Sequence, residues 1–79
     1  MASRREKIDP HTTVNISDAI VIQNINDVPV FWSNDAITDT NKGNLLDSRD
    51  TIGLATAGAY IRNDTCFDDV YVQIETTRP

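Results

Sequence analysis

The chain has 79 residues, 39% of them apolar, and a formal net charge of −5, which is the size and balance of one small acidic domain. No apolar run approaches the ~18–20 residues of a membrane-spanning helix, the first fifteen residues hold no apolar stretch for a secretory leader, and one cysteine, Cys66, can neither close an intrachain disulfide nor build a cysteine-based zinc site. Basic residues cluster only at Arg4, Arg5 and Lys7, so duplex nucleic acid, whose binding rests on phosphate neutralisation, is not an expected partner, and neither is a membrane.

Residues 1–12 read as an extended basic arm on a single β-domain of residues 13–79. Within residues 1–10, Arg4, Arg5 and Lys7 oppose Glu6 and Asp9, a net +1, whereas residues 11–79 carry four basic and ten acidic side chains, a net −6. Such an arm is either solvated or held by a neighbouring molecule, and the second reading is preferred.

Fifteen Ile and Val against three Leu point to strands, because β-branched side chains suit a pleated surface and are stiff in helices. Residues 13–16 are the first short candidate. Residues 19–22 are apolar on both faces, as in a central strand covered on each side. Val28, Val30 and Trp32 alternate with Pro29 and Phe31, and Pro29 confines that strand to an edge or a bulge. Residues 51–54 and 59–62 are shorter candidates, and Val70, Val72 and Ile74 alternate with Tyr71, Gln73 and Glu75. The fold class is therefore all-β, a small antiparallel sandwich or barrel of about six short strands with an extended N-terminal arm.

Polar breaks rich in Asn and Asp separate these runs, and Asx side chains make turns without glycine by bonding their own backbone. Asn26-Asp27 reads as a tight hairpin loop. Residues 34–48, with Ile37 and Leu45-Leu46 as anchors, read as a connection between two sheets. Segments 27–32 and 69–74 share the pattern D-V-x-V-x-apolar, which two turn-plus-strand units explain without duplication.

No catalytic constellation stands out. His11 lies at the base of the arm, away from any nucleophile it could activate, and Cys66 reads as a small buried or half-buried side chain. Acid pairs such as Asp47 and Asp50, or Asp64, Asp68 and Asp69, read as turn formers, since 79 residues leave little room for a sugar-sized cleft between them. Residues 39–43 imitate the start of a calcium loop, but glycine falls fifth rather than sixth and no helices flank it, so no metal is expected. The sequons at Asn15 and Asn63 read as chance. No cofactor is implied. Phe31, Trp32, Tyr60, Phe67 and Tyr71 lack the basic groove that single-stranded nucleic acid requires, which leaves Trp32 and Tyr71 to a core or an interface.

From Ala19 to Glu75 the chain resembles small all-β structural proteins of tailed bacteriophage virions. The resemblance is carried by residues 24–31 as an Asn-x-x-Asp-x-Pro-Val-aromatic segment, by Leu46 and the following Thr51-Ile52, by Tyr60 to Asp64 as Tyr-x-x-Asn-Asp, and by the closing Val-x-Val-x-Ile-Glu of residues 70–75. It departs at residues 47–50, where Arg49 stands in place of the glycine expected in the turn. The resemblance implies a role in particle architecture, as a capsid cement or decoration subunit, a head fibre or a small tail-associated piece. Of these a non-enzymatic cement or decoration subunit, present in virions assembled in the host cytoplasm, is preferred. Such a subunit binds the major capsid protein, stabilises the shell and forms a homo-oligomer, a trimer. Interface contacts are expected at Arg4, Arg5, Lys7, Trp32, Tyr60 and Tyr71. The alternative is a fibre or tail-associated module binding host glycan through Trp32 or Tyr60. An acidic nucleic-acid mimic is disfavoured by charges spread through turns.

Overall fold

A computed structural model of the chain describes residues 2–38 and 42–76, with the side chain of Ala2 left aside. Eight strands follow in chain order: β1 (Ala2–Ile8), β2 (Thr12–Ile16), β3 (Ala19–Asn24), β4 (Val30–Ser33), β5 (Asn44–Leu46), β6 (Thr51–Gly53), β7 (Ala59–Asn63) and β8 (Val70–Thr76). They form two four-stranded antiparallel sheets, β1-β8-β3-β6 and β2-β7-β4-β5. Pairing β1 with β8, β2 with β7, β3 with β6 and β4 with β5 is the strand order of a jelly roll, two interleaved Greek keys. The all-β antiparallel fold expected from the β-branched composition is observed, and of the sandwich and the barrel it is the sandwich, with eight strands rather than about six.

The core lies between the sheets. Val70, Val72 and Ile74 from β8, Ile22 from β3 and Ile8 from β1 meet Ile61, Val30, Leu46 and Ile16 from the second sheet. Each strand presents alternate residues inward, so β8 buries Val70, Val72, Ile74 and Thr76 while Tyr71, Gln73 and Glu75 face outward.

All six expected strands are present, and two more join them. The segment read as an arm is β1, which pairs with β8 over seven residues from Ala2↔Thr76 to Ile8↔Val70. Its alternation is masked by its place at an open sheet edge. Only Ile8 reaches the core, and the other described positions carry polar side chains that discourage another strand from adding there. The Leu45-Leu46 anchors form β5, the second edge strand that sequence reading missed. Because β5 pairs with β4, the long break beginning at Asn34 closes a hairpin within one sheet rather than joining two. Gly43 ends this connection at φ +80°, where an added Cβ would collide with the Trp32 carbonyl oxygen.

Three local expectations change with the topology. Residues 25–29 carry the chain from β3 in one sheet to β4 in the other, so Asn26-Asp27 is a crossing and not a hairpin loop. Strand β3 is not covered on both faces: its register against β8 shifts between Ala19 and Val21, which places Ile20 in a bulge and leaves Val21 half-buried. Cys66 is exposed.

Counting four strands on, and passing from β8 back to β1, turns each sheet's strand order into the other's read in reverse. The correspondence extends to single residues. Ile74 pairs with Ile22 and Trp32 with Ile61, the same places that the 27–32 and 69–74 pattern aligns. His11 and Arg49, in the β1–β2 and β5–β6 turns, are the two positive-φ non-glycine residues described, at 54° and 68°.

Candidate functional site

The outer face of the first sheet is built by β1, β8, β3 and β6. In the antiparallel ladder Lys7 stands opposite Tyr71 and Arg5 opposite Gln73, which in turn faces Gln23 across β3. Directly opposed residues project from the same face, so Ser3, Arg5, Lys7, Tyr71, Gln73, Glu75 and Gln23 share one polar surface. The Nε2 of Gln73 donates to the Ser3 hydroxyl at 2.6 Å, and Lys7 Nζ lies 3.7 Å from both Asp9 and Asp69. Among the described Lys and Arg residues, Arg5 alone has no ion-pair or side-chain hydrogen-bond partner. Tyr71 is 40% exposed, with its backbone fixed by Asn26, whose Nδ2 donates to the Tyr71 carbonyl and whose Oδ1 accepts from the Tyr71 N–H.

The six residues expected at an interface are thus divided. Arg5, Lys7 and Tyr71 come together on this face. Arg4 is on the opposite side of β1, where its Nε donates to Glu6 Oε1 at 2.7 Å and its guanidinium reaches Asp18 at 3.5 Å. The Glu6 hydrogen bond is the main cause of a pKa raised above the ordinary arginine value. Trp32 points inward, half-buried against the core beside Ile61. Tyr60 belongs to the outer face of the second sheet.

That second face carries a different chemistry. Its rows run Thr13–Arg62–Phe31–Leu45 and Asn15–Tyr60–Ser33 across β2, β7, β4 and β5. Phe31 and Tyr60 are half-buried and Leu45 is 54% exposed. Arg62 donates through Nε to Asp64 at 3.0 Å and through Nη1 to the Thr13 hydroxyl, and Lys42 donates to the other Asp64 oxygen at 3.2 Å. The two donors, Arg62 foremost, hold the Asp64 carboxyl below its ordinary pKa. Sequence reading had singled out Tyr60 here but neither Phe31 as its companion nor Leu45. The signal was present as the outward phase of two strands, but their adjacency depends on register.

The β3–β4 and β5–β6 connections are held together by side chains, Ser48 donating to the Asn26 carbonyl at 2.7 Å. Arg49 donates to the Ile25 carbonyl at 3.0 Å and to Asp27 Oδ1 at 2.9 Å, fastening the β5–β6 turn to the β3–β4 loop. Residues 47–50 close as a turn by Asp50 N–H donating to the Asp47 carbonyl, so Arg49 occupies the left-handed position where the resemblance called for glycine. Among the described residues no three His, Cys, Asp or Glu side chains are grouped to hold a metal ion. Residues 39–41 of the calcium-like segment lie outside the described residues. His11 is exposed in the β1–β2 turn.

No protein-family model, curated protein or solved structure matches the chain.

Proposed function

We propose that the chain is a non-enzymatic structural subunit of a tailed-phage virion, a cement or decoration protein that binds the major capsid protein and stabilises the shell. The reading starts from the resemblance over residues 19–75. The observation that carries it is the shared outer face of Arg5, Lys7 and Tyr71, with Lys7 and Tyr71 directly opposed. An exposed arginine with no partner among the described residues, an exposed lysine and a partly exposed tyrosine suit an acidic protein surface. The jelly-roll order is also found in viral capsid and lectin domains, although fold alone does not assign a role. The glycan-binding alternative named Trp32 or Tyr60, and the packing of Trp32 against the core leaves it to rest on Tyr60.

The test is co-sedimentation of the full chain with expanded phage capsids, read with the capsids' resistance to heat. Wild-type protein is expected to sediment with the shell and raise its disruption temperature. An Arg5→Glu, Lys7→Glu variant is expected to bind more weakly, with a smaller loss at high salt. Absence of binding by the wild-type chain, or full binding by the charge-reversed variant, would overturn the docking face. Deleting residues 1–12 does not test it, because that deletion removes β1 from the fold.

A further inference from the structure

We infer that the outer face of the second sheet is a self-association surface whose occupant is a second copy of this chain. Leu45, Phe31 and Tyr60 form its apolar centre: Leu45 and Phe31 are directly opposed on β5 and β4, and Tyr60 lies one row away on β7. Lys42, Arg62 and Asp64 place both signs of charge beside that centre. An apolar centre with aromatic residues and arginine inside a charged rim is the composition of a protein interface.

Charge complementarity selects the occupant. Two copies meeting about a two-fold axis present the same patch to each other, so a self-docking face must carry its own counter-charges. The second face does, because Arg62 and Lys42 of one copy can face Asp64 of the other. The first face also carries acids, Glu75 on β8 and Asp9 and Asp69 beside Lys7, so it is the apolar centre of Leu45, Phe31 and Tyr60 that distinguishes the second. The size is consistent with a modest dimer. Sheets stack ~10 Å apart, which makes the 17 Å extent of the molecule its thickness and the 34 × 24 Å outline its broad face. That outline limits the contact to about 800 Å² per partner, the size of a standard interface fully used. The dimer is therefore concentration-dependent. This association uses the face opposite the capsid-docking one and stands independently of that reading.

Sedimentation equilibrium of the full chain from about 10 µM to about 1 mM tests it. The wild type is expected to pass from monomer to dimer in that range. Leu45→Glu is expected to weaken the dimer about tenfold or more while keeping the wild-type circular dichroism and unfolding midpoint, since Leu45 is exposed. Tyr71→Ala, on the other face, is expected to leave the dimer unchanged. A monomer throughout the range, a trimer, a folded Leu45→Glu protein that still dimerises normally, or loss of the dimer on Tyr71→Ala would each overturn the inference.

Discussion

Asn24 and Asn63 make the same hydrogen-bonded corner at the ends of corresponding strands. Each side chain is fully buried. Each Oδ1 accepts the backbone N–H two residues on, from Asn26 at 3.0 Å and from Thr65 at 2.9 Å, and also a side-chain donor of that same residue. Each Nδ2 donates inward to a strand carbonyl, that of Leu46 for Asn24 and that of Ile8 for Asn63, and to a loop carbonyl, of Val28 and of Asp68. Every polar atom of the two amides is engaged, which is what allows them to sit in the core. The two corners turn the chain between the sheets, out of β3 and out of β7.

Removing either amide takes a donor from one buried strand carbonyl and from its part-buried loop carbonyls, and frees its loop. Asn63→Ala and Asn24→Ala are each expected to cost about 2–4 kcal/mol in urea unfolding. Asn→Asp should not rescue them, because a carboxylate brings acceptors to positions where the amide donates. A loss below about 0.5 kcal/mol in either variant would show that water replaces the corner.

β1 is part of the sheet, and its core contribution is concentrated in Ile8. Ile8→Ala is expected to lower stability by about 2–4 kcal/mol. Removal of residues 1–8 is expected to abolish cooperative unfolding, since it strips β8 of one partner strand and opens the core around Val70 and Val72. A truncated chain with the full chain's unfolding midpoint would restore the arm reading.

Arg49 holds a left-handed conformation at φ 68° while its guanidinium fastens Asp27 and the Ile25 carbonyl. Replacement by glycine relieves the backbone and loses an exposed clamp, so Arg49→Gly is expected to stay within about 1 kcal/mol of wild type. Arg49→Val loses the clamp and adds a β-branched side chain at positive φ, at a cost of about 1–3 kcal/mol. Thermal unfolding of the pair separates conformation from clamp, and a valine variant as stable as the glycine one would contradict the strained turn.

The Asp64 carboxyl is held below its ordinary value of 3.8 by hydrogen bonds from Arg62 and then Lys42. A group that binds its proton less readily when folded stabilises the fold above the unfolded pKa. That contribution fades as pH falls below 3.8 through the folded value. The stability of wild type minus that of Asp64→Asn should therefore shrink as pH is lowered from neutral through this window. The effect is expected to be small and to diminish with salt, since the group is partly solvated. A difference independent of pH would mean that Asp64 acts as a hydrogen-bonding loop residue and not through charge.

The amino-acid sequence by itself determined the class of structure and six of the strands. Val and Ile in alternation leave a strand little choice of face, as Val70, Val72 and Ile74 show, and Asx residues mark the crossings because their side chains bond the adjacent backbone. Arg5, Lys7, Tyr60 and Tyr71 could be picked out as surface residues, but not assigned to faces. Tertiary structure decided what local pattern cannot carry. β1 and β5 are edge strands, where few residues reach the core and the alternation disappears, so only pairing with β8 and β4 defines them. The same pairings set Lys7 beside Tyr71 and Leu45 beside Phe31, and sent Trp32 inward. These neighbours come from opposite ends of the chain or across a long connection, and register between strands is fixed only when the two sheets close on a common core.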